Sequence, residues 1–73
     1  MTGRKEVRAE YARATPDALI AEARRLRESA PDGALSANAE LLLRTDELGR
    51  AMLARMRSDP DGWKAAVERA KSP

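Results

Sequence analysis

Twelve carboxylates and fourteen cationic side chains, with no histidine and no cysteine, bound the chemistry open to this 73-residue chain. The usual zinc ligands, thiol nucleophiles and imidazole bases are excluded together, which leaves carboxylate-only chemistry and guanidinium recognition of anions. Asp46 is the most unusual carboxylate, because helical periodicity sets it on an apolar face between Leu42, Gly49 and Leu53. It needs a partner there. Arg50 is available four residues on, and Arg24, Arg25 or Arg27 could reach it from a neighbouring helix. An intramolecular pair is the expected role, with a charge that sets register or meets a partner chain as the second reading. A hydrolase built on Asp46 with Glu40 or Glu47 lacks a shared face, so no enzyme activity is expected. No metal, cofactor or small-molecule substrate is expected either.

The cluster Arg24, Arg25 and Arg27 supplies the candidate phosphate contacts. Glu22 and Glu28 flank it, and pairing along a helix would mute the local field. A helix ending before Gly33 and another starting at Ser36 roughly match a helix-turn-helix, which would bring Ser36 and Asn38 near a DNA groove. Against that layout, the first turn of the second of these helices carries no arginine or lysine, and apolar side chains occupy much of its surface.

The glycines Gly3, Gly33, Gly49 and Gly62 are scattered and build no phosphate cradle, and no P-loop, dinucleotide fingerprint, nucleophile elbow or calcium loop is present. Charged residues make up 36% of the chain, yet the net charge is only +2. Interspersed signs of this kind are typical of solvated helix faces and form a weak footprint for nucleic acid. No run approaches the roughly 18 to 20 apolar residues of a membrane span, and MTGRKEVRAE has no apolar signal core. A cytoplasmic location and no membrane partner are expected.

These residues must be positioned by helices. Val7, Tyr11 and Ala14 form a narrow stripe on a short first helix, 4–14. Thr15-Pro16-Asp17 is a restart signal: an acceptor to cap, a proline for the first helical position, and an acid for the positive helix end. The second helix, 16–29, faces inward with Leu19, Ala23 and Leu26 and points Glu22, Arg25 and Glu28 away, before Ala30-Pro31-Asp32-Gly33 stops it. Asp59-Pro60-Asp61 repeats the restart and opens the fourth helix, 60–71, with Trp63, Ala66, Val67 and Ala70 inward.

The third helix, 36–58, is the longest, with Ser36 as cap and Leu35 as staple. One stripe holds Leu35, Ala39, Leu42, Gly49, Leu53 and Met56, and a second holds Leu41, Leu48 and Met52. Two stripes imply neighbours on both flanks. The expected architecture is therefore a single all-α domain of four helices, the third central, the second and fourth beside it, and the first sealing an edge.

Gly49 costs about 1 kcal/mol against alanine in mid-helix, and a close helix crossing is the expected compensation. Leu43 lies beside the polar arc of Glu40, Arg44 and Glu47 and is expected at the edge of a binding surface. Met52 and Met56 add adaptable apolar surface.

A domain this small buries only about 60% of the surface of its unfolded chain, and with neither phenylalanine nor cysteine its core lacks reinforcement. The composition thus points to a non-enzymatic helical interaction module, binding a protein partner or its own copy through Leu43, Asp46, Met52 and Met56. The alternative is a small dimeric DNA-binding regulator acting through Arg24, Arg25, Arg27, Ser36 and Asn38.

Overall fold

The computed structural model describes residues 3–29 and 39–71. Among them the chain forms four helices and no strand: α1 (Arg4–Arg13), α2 (Pro16–Ser29), α3 (Ala39–Ser58) and α4 (Pro60–Lys71). No helix among the described residues is long and apolar enough to cross a membrane.

The restart signals work as capping chemistry predicts. Thr15 precedes a proline and so leaves the helical region. Its Oγ1 accepts from the Ala18 N–H at 3.2 Å. Asp59 does the same for α4, its Oδ1 accepting from the Gly62 N–H at 3.0 Å. A Cβ on Gly62 would run into that carboxylate, so the glycine leaves room for the cap. α1 ends one residue earlier than its apolar stripe suggests, with Ala14 as an extended C-cap. The expected start of α3 at Ser36, with Leu35 as staple, lies outside the described residues.

α3 is central, since it packs against α1, α2 and α4, and α2 also meets α4. The buried cluster is Val7 and Tyr11 from α1, Leu19 and Leu26 from α2, and Leu41 and Leu48 from α3, with Ala66 of α4 also buried. Ala23, Ala51, Met52 and Trp63 lean on it, half-buried. α1 is thus part of the core rather than an edge seal, because Val7 is wholly buried and Tyr11 nearly so.

The two stripes of α3 do not share the neighbours between them. All three helices converge on the side of Leu41 and Leu48. The wider stripe stays at the surface, with Leu42 53%, Leu53 54% and Met56 37% exposed, and with Ala39 and Gly49 exposed beside them. Polar partners on the flanks of the Leu41–Leu48 side decide the matter, as described next.

Candidate interaction surface

On one flank of α3, Glu47 is the one buried acid among the described residues, only 2% exposed. It was expected in a solvated polar arc. Instead, α1 delivers two guanidiniums to it. Arg8 donates from Nε to Oε2 and from Nη2 to Oε1, both at 3.0 Å, and Arg4 Nη1 donates to Oε1 at 2.8 Å. Such forked pairing favours the ionised acid. The Arg8 and Arg4 hydrogen bonds together hold the Glu47 carboxyl far below its ordinary value, at about 2.

Asp46 sits next to this latch but at the surface. It accepts from Arg4 Nη1 at 2.7 Å, and Arg50 Nε lies at 3.4 Å as the spacing predicts. The carboxyl is lowered, Arg4 being the main cause. The arginines of α2 do not reach it. Arg24 donates to the Ala70 carbonyl at 2.7 Å, Arg25 Nε to Glu22 at 2.7 Å, and Arg27 lines a groove with Ala23 and Leu26.

A second polar knot joins α1, α2 and α3. The Tyr11 hydroxyl donates to Glu22 Oε2 at 2.7 Å, so Glu22 points inward rather than away. Arg44 reaches Glu10 at 3.2 Å, Glu40 at 3.6 Å and Glu22 at 3.7 Å. Burial, reinforced by the Glu22 carboxylate, pushes the Tyr11 hydroxyl up to about 12. Hydrogen bonding from Arg25 is the main cause that keeps Glu22 below its usual value. Glu47, Asp46 and Glu22 are thus held as ionised acceptors with their guanidiniums in place, an arrangement that fastens helices together.

Of the predicted interface residues, the structure separates two pairs. Met56 and Asp46 lie on the outer face of α3, with Leu42 and Leu53. Leu43 and Met52 instead pack against the core, half-buried, so a charge at either position would disturb the fold as well as any contact. Leu43 is drawn in because the Glu47 latch brings α1 alongside that flank. Ser36 and Asn38, and with them the proposed helix-turn-helix corner, lie outside the described residues.

Leu42 and Leu53, expected under a flanking helix because they share an apolar stripe with Ala39 and Gly49, are instead outer residues. The sequence signal for Glu47 was Arg4 and Arg8, four apart on α1.

Gly49 is not at a close crossing either. A Cβ there meets nothing within 4 Å among the described residues, so their packing offers no compensation for a mid-helix glycine. Gly49→Ala is expected to stabilise the isolated chain by about 1 kcal/mol, read as a higher urea midpoint with unchanged slope. A lower midpoint would contradict the open environment.

The chain matches no family model, no curated protein and no solved structure among known proteins.

Proposed function

We propose that the chain is a small cytoplasmic, non-enzymatic interaction module whose partner docks on the outer face of α3. One observation carries this reading: Leu42, Leu53 and Met56 stand at 53%, 54% and 37% exposure along one side of the longest helix, while α1, α2 and α4 occupy another. Scattered surface leucines are ordinary, but large apolar residues aligned on one helix face make a docking surface. The polar contacts support the same reading, since Glu47, Asp46 and Glu22 are engaged in holding helices together, Glu22 through Tyr11 of α1 and Arg44 of α3.

The test compares the parent with Leu42→Asp and Leu53→Asp. Both side chains are largely exposed on the single chain, so each variant is expected to keep its helical circular dichroism and, at concentrations too low for association, its stability within about 0.5 kcal/mol. Burying a leucine contributes about 1.5–3 kcal/mol, so each charge is expected to weaken association about tenfold or more. Association is followed by sedimentation of the purified chain and by mass spectrometry of what co-purifies stoichiometrically from extract. A partner kept by both folded variants sinks the proposal.

A further inference from the structure

We infer that the occupant of this face is a second copy of the chain, docked with the two α3 helices antiparallel; the inference rests on the reading of the outer face as a docking surface. Ala39, Leu42, Asp46, Gly49, Leu53 and Met56 follow one another at steps of three, four, three, four and three residues, and all six are exposed. That alternation is the seam of a two-helix coiled coil, in which each side chain inserts between residues of the facing helix.

The seam is complementary to itself in one orientation. Rotating a second copy about a two-fold axis midway between Glu47 and Leu48 sets Leu42 against Leu53, Ala39 against Met56, and Asp46 against Gly49, each layer occurring twice by symmetry. Large meets small at Met56 and Ala39, and leucine meets leucine on either side of the centre. At the centre, the missing side chain of Gly49 gives the carboxylate of the opposite Asp46 room. Arg50 of the second copy then falls within about one residue's rise of Asp46, so the pair made within the helix at 3.4 Å gains a counterpart between chains.

A parallel arrangement would bring Asp46 against Asp46 and Gly49 against Gly49, two like charges followed by a gap. Charge complementarity therefore selects the antiparallel pair. It also gives Gly49 a reason within the assembly that it lacks among the described residues of one chain.

With no native cysteine, the register can be read by cross-linking. Leu42→Cys and Leu53→Cys are purified separately and oxidised with copper(II), alone and mixed. In the antiparallel pair the two sites face each other, whereas equal sites lie about eleven residues of helix rise apart, roughly 16 Å. The mixture is expected to form covalent dimer at least ten times faster than either variant alone, and the parent is expected to shift from one-chain to two-chain mass with concentration. Faster cross-linking of either variant with itself would overturn the antiparallel pairing. A one-chain mass at every concentration, together with a different stoichiometric partner lost from Leu42→Asp and Leu53→Asp, would overturn the second copy and keep the docking face. A one-chain mass with no partner lost from those two variants would remove both.

Discussion

Leu19→Ala is expected to lose at least about 10 °C of melting temperature, followed by circular dichroism at 222 nm. Leu19 has no accessible surface and is the largest side chain so enclosed, in a core contributed by α1, α2 and α3. Truncating a buried leucine costs about 2–5 kcal/mol, from lost burial and from the cavity that remains. A chain of 73 residues has a total stability of about 4–11 kcal/mol at the usual level per residue. One truncation thus removes a large share of it, at about 4–8 °C per kcal/mol for a domain of this size. Lys64→Ala, exposed on α4 and away from the outer face of α3, serves as the contrast with little change. A Leu19→Ala melt within about 3 °C of the parent would mean that the core is not where the structure puts it.

Acid is expected to unfold the domain between about pH 5 and pH 2, and Glu47→Gln to abolish much of that dependence. The folded Glu47 carboxyl titrates at about 2 against an ordinary 4.5. Its contribution is therefore complete above the unfolded value and is lost as pH falls toward the folded one. Asp46, Asp17 and Glu22 are lowered in the same direction by Arg4, Arg69 and Arg25 respectively, so their losses add. Glu47→Gln keeps the shape and removes the charge that Arg4 and Arg8 grip. At pH 7 its melting temperature is expected to fall by about 5–10 °C, and near pH 2 the two proteins are expected to converge. Both guanidiniums are themselves well exposed, 49% for Arg4 and 63% for Arg8, which keeps the loss below that of a fully enclosed pair. Parallel melting curves for parent and variant from pH 7 to pH 2 would count against the latch.

How far the sequence reaches is clearest on α3 itself. Its helical character, its length and the caps at Thr15 and Asp59 follow from local chemistry, because a proline, an acceptor and an acid act within a few residues of one another. Which of its stripes turns inward does not follow. Periodicity gives the angle of Leu42 relative to Leu41 but contains nothing about which neighbour arrives. The choice is made by contacts more than thirty residues apart in the chain, Arg8 on Glu47 and Arg44 on Glu10, that hold α1 to the Leu41–Leu48 side. Periodicity likewise sets Leu43 beside the polar arc that contains Glu47, and both are drawn inward because they flank the stripe that α1 covers. Asp46 was legible in part, since Arg50 shares its helix and Arg4 does not.

The Glu47 latch has a consequence for how this chain tolerates change. By fixing α1 through charge on the flank of α3, it removes the outer leucines from the task of folding. Substitutions there and substitutions in the core touch no common partner, so their effects add independently. The outer face is consequently open to substitution without change in the interior, so binding can be altered on a scaffold that stays the same.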